Sequence, residues 1–286
     1  MIKRVTHFGR NKYKIQWGQF FLHIVMFLLL FATVYPLLMA FWSAFKTVDQ
    51  YEVSKFYPTL PLKLSNFVTA FEKISVYTVN TIAIAFFGII GSLIISSFAA
   101  YAFARMKFPG KKLFFTLVLS LMMIPGVLTL VPQFLMYQKM GLQNSLFAIL
   151  LPQITMQPVG QVFLLTMFFS TLPKELFEAS KMDGAGHFKT FIKVALPLSM
   201  PILITLGIMQ INTIWNDYLW PMTIITTNYE NLTISAGLIV EFRNLHSQNM
   251  PVTYAGYLLS SIPLLIVFIF GNQYYIKGLL NSGIKM

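Results

Sequence analysis

The chain has 286 residues, 56% of them hydrophobic and 10% charged, with 28 Phe and a formal net charge of +12. A water-soluble domain carries about a quarter charged residues, so this composition excludes a single soluble core and makes lipid the solvent for much of the apolar surface. The lack of Cys excludes disulfides and thiolate metal sites. The basic excess is dispersed between apolar runs, which is membrane topology and not a nucleic-acid-binding face.

At the start, Lys3, Arg4, Arg10, Lys12 and Lys14 precede an apolar run over 20–45. That run exceeds the ~7–15 residues of a signal-peptide core, and no small-residue cleavage site follows it. It is read as the first membrane helix, after a cytoplasmic segment 1–19. A spanning helix needs about 20 mostly apolar residues, and five further stretches qualify, at 79–104, 113–137, 146–169, 201–227 and 255–276. The expected fold class is an all-α integral membrane protein with about six transmembrane helices, spanning 20–276 and followed by a tail 277–286.

The second stretch carries Gly88, Ser92, Ser96, Ala100 and Ala104 at intervals of four, a small-residue face that lets another helix come close. Pro152 and Pro158 interrupt the fourth stretch, and Pro36, Pro125, Pro132 and Pro263 fall inside others. Such prolines are tolerated where neighbouring helices or cavity water satisfy the freed carbonyls. A pathway and simple packing kinks account for them equally well. His7, His23, His187 and His246 are scattered without metal-ligand spacing.

Orientation follows from Lys and Arg. With the N-terminus inside, the inner segments carry fifteen basic residues and the outer segments six, which places both termini in the cytoplasm. The outer segments 46–78 and 228–254 are long enough to dock an external partner or to serve as connectors.

The inner segment 172–200 carries the functional signal. Pro173 suits a helix first turn, and Glu175 and Glu178 suit the positive end of the macrodipole. Leu172, Leu176, Ala179 and Ser180 share one face with Phe177 beside them, and Gly184 can end the helix in the left-handed conformation. A second helix is expected over 186–196. A short helix with an apolar face between two spans suits a groove in a partner or the membrane surface.

Glu178-Ala179-Ser180, Asp183-Gly184-Ala185, Phe191, Val194, Leu196-Pro197 and Pro201 resemble the EAA motif of ABC importer permeases, with Ser180 in place of Ala and Val194 in place of Ile. The likeness continues at Asn80-Thr81, across 99–110 (AAYAFARMKFPG), and at Met123-Ile124-Pro125, Gly141-Leu142, Trp215-Asn216-Asp217, Gln273 and Gly278-Leu279. Together these resemble the maltose-type permeases of the oligosaccharide import class.

The resemblance implies a prokaryotic plasma-membrane permease bundle with a cytoplasmic coupling helix, carried by Glu178, Ala179, Ser180, Asp183, Gly184 and Ala185. It implies a second homologous permease subunit, two cytoplasmic ATPase subunits that hold ATP and Mg, and an extracytoplasmic solute-binding protein. The tail 278–286 resembles one that reaches toward the ATPase. No cofactor is expected on this chain. Its nearest approach to a phosphate loop, Gly184-Ala185-Gly186-His187-Phe188-Lys189-Thr190, has Phe188 where Gly is required and no preceding strand.

Asp217, with Asn212, Trp215 and Asn216, forms a polar group at the edge of the fifth span. Such groups often line a pathway, although Trp is also common at interfaces. A sugar or oligosaccharide is the expected cargo; a polyol, a glycerol phosphate or a uronic-acid oligomer is the alternative. A secondary transporter would call for ionisable residues at mid-membrane, and apart from Asp217 and His23 these are absent.

Overall fold

The computed structural model describes residues 17–243 and 249–283, with side chains over 18–243 and 249–271. The basic cluster of residues 1–16 and the end of the tail lie outside that range. Every regular element among the described residues is helical. In chain order they are α1 (Trp17–Ser43), α2 (Val48–Val53), α3 (Ser65–Arg105), α4 (Lys111–Leu121), α5 (Gly126–Lys139), α6 (Leu146–Thr155) and α7 (Pro158–Thr171). There follow α8 (Lys174–Met182), α9 (His187–Thr190), a π-helical turn (Phe191–Ala195), α10 (Leu196–Leu198), α11 (Met200–Asn216), α12 (Leu219–Ile224), α13 (Ile234–Phe242) and α14 (Met250–Gly283).

Four runs are long and apolar enough to cross a membrane alone: 18–43, 65–105, 146–171 and 250–271. The crossings reach six when each of two bent pairs is one span. These pairs are α4 with α5, at 94°, and the helical run 187–198 with α11, at 72°. Both bends have a proline cause. Pro125 pushes Ile124 out of the helical region, and short bonds such as Met123 N–H to Ser120 O (3.1 Å) close α4. At the second bend Pro197 and Pro201 flank Ser199, and Pro201 cannot donate to the Pro197 carbonyl. The Ser199 hydroxyl donates back to Ala195 O at 2.7 Å.

Helix α3 is the centre of the bundle and packs against α6, α7, α11, α13 and α14. Its buried residues include Ala70, Ile74, Tyr77, Thr81, Ile84, Gly88, Ser92, Ser96 and Ala100, a stripe at intervals of three and four. The small-residue face works as expected: a Cβ at Gly88 would lie 3.0 Å from the Gln153 Cβ, and one at Gly91 3.0 Å from Ile154. By contrast, α1 is exposed along nearly its whole apolar length and packs on α14.

The second span differs from expectation by starting at Ser65, not near 79. Lys73 and Glu72 read as loop in the sequence, but α3 has 41 residues, about 60 Å at 1.5 Å each. That is roughly twice the hydrocarbon thickness, so its polar first third projects beyond the apolar layer. The fifth span also differs. Its helix stops at Asn216, Asp217 is extended at ψ 111°, and α12 is a separate piece. The fourth span, despite Pro152 and Pro158, is interrupted only at Met156–Gln157 and continues as one run.

The expected outer segments gather at one end. Lys46 is fully buried; its ammonium donates to Ser54 O, and burial lowers its pKa. Asn66 Nδ2 donates to Ala44 O (2.9 Å) and Lys46 O (2.8 Å). The Tyr51 hydroxyl, pushed up to about 12 by burial and the Tyr254 hydroxyl, lies 3.4 Å from that partner. Lys73 pairs with Glu241 at 2.6 Å, and Asn80 Nδ2 donates to Glu230 O (2.7 Å) and Leu232 O (3.0 Å). Residues 105–110 and 172–195 sit at the opposite end, where Arg105 reaches Phe169 O and Leu172 O. Each end has its own apolar core: one around Ile74, Tyr77, Trp220 and Phe242, the other around Tyr101, Phe169, Phe177 and Phe191.

Candidate functional site

Helix α8 follows Pro173, which is extended at φ −56° and ψ 133°. Its C-terminus is closed by a paired motif. Ala185 N–H donates to Ser180 O and Gly184 N–H to Lys181 O, each at 3.0 Å, while Gly184 holds φ at +74°. This is the Schellman closure, in which two orphan carbonyls are satisfied at the cost of one left-handed residue. Glycine meets that cost without strain.

Leu176, Ala179 and Ser180 share the expected face, and Phe177 stands apart from it. Phe177 turns into the bundle and is buried, whereas Leu176 remains 42% exposed. Leu176, Ala179, Ser180, Asp183 and Ala185 instead line a concavity of about 360 Å³, closed on its far side by Lys189, Lys193 and Val194. Residues three and four apart share a face, so the face holding Leu176, Ala179 and Asp183 looks away from the core. The Ser180 hydroxyl lies 2.9 Å from that of Thr190, which joins α8 to α9. Glu178 is exposed. The π-helical turn places Phe191 and Ala195 in the core; such turns often mark functional positions.

The four polar residues at the edge of the fifth span do not converge. Trp215 is buried, and its indole N–H donates to Ser260 O on α14 at 3.1 Å. Asn216 is exposed and its Nδ2 donates to Asn212 O at 2.8 Å. The Asp217 carboxylate accepts the Trp220 N–H at 3.3 Å. Asn212 alone of the four lines a cavity of about 580 Å³ between α11 and α14, with Thr213, Ser261 and Phe268.

Sequence reasoning missed two clusters. Ser92 Oγ and Gln161 Nε2 both donate to Gln210 Oε1, at 2.6 and 2.9 Å, and Gln210 Nε2 donates to Gln153 O at 3.1 Å. This buried net ties α3, α6, α7 and α11 together; polar residues within apolar runs were its readable signal. The second is Arg105, whose guanidinium lies 4.0 Å from the centre of the Phe177 ring.

The bundle thus combines bent spans with a short helix, α8, at one end. It shares its fold with a chain of a bacterial ABC transporter involved in the import of the acidic polysaccharide alginate. The TM-score is 0.79 at 21% identity, over 95% of this chain and 100% of that one. Residues 92–280 match the family described as the binding-protein-dependent transport system inner membrane component, and the chain belongs to that family.

It is 34% identical to the "Probable ABC transporter permease protein YurM" of Bacillus subtilis (strain 168), over 96% of this chain and 92% of that protein. It is 32% identical to the arabinooligosaccharides transport system permease protein AraQ of Halalkalibacterium halodurans, over 89% and 92%. The melibiose/raffinose/stachyose import permease protein MelC of Bacillus subtilis is 31% identical, over 87% and 91%. The chain is thus a multi-pass membrane protein and the permease component of an ABC transporter.

Proposed function

We propose that this chain forms the translocation path of a sugar or oligosaccharide importer together with a second homologous permease subunit. Separate cytoplasmic ATPase subunits would drive it. The observation that carries the reading is α8: a short helix between two apolar runs, closed by Gly184 at φ +74°, with an outward concavity lined by Leu176, Ala179, Ser180 and Asp183. Glu178, Ala179, Ser180, Asp183, Gly184 and Ala185 form the docking element for an ATPase subunit. Closure of the two ATPase subunits, which hold ATP and Mg, moves α8 and with it the bundle.

The end that carries α8 faces the cytoplasm, as do both termini and the tail 277–286. The α2 end receives a solute-binding protein on 46–78 and 228–254. Asn212, Trp215, Asn216 and Asp217 stand beside the substrate path. Relatives named for arabinooligosaccharides and for melibiose, raffinose and stachyose support a saccharide cargo.

The test is transport. The complex is purified from native membranes by a tag on this chain and reconstituted in proteoliposomes with ATP on the α8 side. Its substrates are a panel of neutral oligosaccharides, uronic-acid oligomers, polyols and glycerol phosphate. ATP-dependent uptake of a saccharide is expected. Uptake without ATP would overturn the ATP-driven reading, and uptake restricted to polyols or glycerol phosphate would overturn the saccharide.

A further inference from the structure

Helix α8 is joined to α7 by only Leu172 and Pro173. A two-residue link fixes position but not angle, so something else must hold α8 against the bundle. Pro173 also creates a local need. In a continuing helix the carbonyl of Phe169 would accept the N–H of residue 173, and proline has none. The Leu172 carbonyl is freed as well, because Leu172 turns extended at ψ 143°. The Phe169 and Leu172 carbonyls are thus among the acceptors freed at the end of α7, near an apolar core where unpaired carbonyls are costly.

Arg105, the last residue of α3, meets that need from 64 residues earlier in the chain. Its Nη2 donates to Phe169 O at 2.5 Å and to Leu172 O at 2.6 Å. The same guanidinium lies 4.0 Å from the centre of the Phe177 ring, and Phe177 is the buried residue of α8. One turn back on α3, Tyr101 contacts the rings of Phe177, Phe169 and Phe191, with centroids 6.5, 6.2 and 5.2 Å away. A planar cation can donate in its own plane and stack on a ring at once, which a lysine ammonium cannot. Arg105 thus bonds the end of α7 and the link through Nη2 and lies over the Phe177 ring of α8.

Toward its other end α3 grips α13 and the segment before it. Asn80 holds the carbonyls of Glu230 and Leu232, Thr81 Oγ1 accepts the Ile234 N–H at 2.7 Å, and Lys73 pairs with Glu241. One continuous helix thus joins the seat of α8 to the opposite end of the molecule.

We infer that Arg105 is a positioning residue that clamps α8 to α3, so that displacement of α8 is delivered to the α3 rod and not absorbed in the Leu172-Pro173 link. The inference rests on the reading of α8 as the ATPase-docking element. Its test is separable from that reading because the distance measurement needs no ATPase.

The chain has no Cys, so spin labels at Ile95→Cys and Lys181→Cys report the α3–α8 distance in the full chain in lipid nanodiscs. Labels at Ile95→Cys and Met167→Cys report α3–α7 as a control. The wild type should give one narrow α3–α8 distance. Arg105→Ala should lose that peak to a broad distribution while the control pair stays narrow. Arg105→Lys, which keeps the charge but not the stacked plane, should recover part of the peak. An α3–α8 peak as narrow in Arg105→Ala as in wild type overturns the inference. So does loss of both peaks together, which would make Arg105 a general folding residue. Loss of the α3–α8 peak with unchanged ATP-driven uptake by the complex would leave the clamp standing and overturn α8 as the coupling element.

Discussion

Gly184 holds φ at +74° with nothing within 4 Å of where a Cβ would stand. Within this chain, any harm from a side chain there is a backbone effect and not a clash. Gly184→Val should cost about 1–2 kcal/mol locally because a β-branched residue is strained in the left-handed region. Gly184→Asn should be far milder, since Asn visits that region readily. In the complex purified by a tag on this chain, uptake and solute-stimulated ATP hydrolysis should fall with Val and stay near wild type with Asn. Equal activity in the two would show that the closure of α8 is irrelevant to coupling. This glycine was legible in the sequence, because helix stops have a local chemistry. Arg105 was visible only as a basic residue at the end of a span. Its acceptors are carbonyls freed by Pro173, and a free carbonyl leaves no mark on the residue that carries it.

At the scale of elements, the glycines reveal a close packing of α13 on α3. A Cβ at Gly237 would lie only 2.4 Å from the Tyr77 ring, and that ring's hydroxyl reaches Glu241 at 3.4 Å. Gly237→Ala must push Tyr77 aside, and overpacking of this kind costs about 1–3 kcal/mol. Gly160, on α7, meets only the Met122 Cε, at 3.9 Å. Gly160→Ala should be neutral or stabilising, by up to about 1 kcal/mol from helix propensity. Thermal unfolding in detergent should place Gly237→Ala below the wild type and Gly160→Ala at or above it. The reverse order would mean that α13 does not pack on α3 in this way. Expected as part of an outer connector over 228–254, this segment instead places Ile234, Ala236 and Phe242 fully inside the core. Its nine residues are too few to register as a span, so only their burial against Tyr77 reveals the role.

For the whole molecule, the two ends carry different segments, and the proposal assigns each a side of the membrane. Single Cys probes test this directly. Lys107→Cys, exposed just beyond α3, should react with an impermeant thiol reagent only from the cytoplasmic side. Val53→Cys, where the native residue is 86% exposed at the end of α2, should react only from outside. Labelling in the opposite sense would reverse the topology drawn from the basic residues and place α8 away from any cytoplasmic ATPase.

The solvent, the helical class, about six crossings, the partition of segments between two ends and the family likeness were all legible along the chain. Each rests on composition, run length, charge bias or local motif, which are properties of neighbouring residues. The tertiary structure alone decided that α3 begins at Ser65, because a polar helix that projects beyond lipid reads as loop until its buried stripe is seen. It also decided that Phe177, and not Leu176, faces the core, that Trp215 points at Ser260, and that Arg105 seats α8. These depend on contacts between residues far apart in the chain. In lipid, where apolarity does not distinguish inside from outside, no pattern along the chain could supply them.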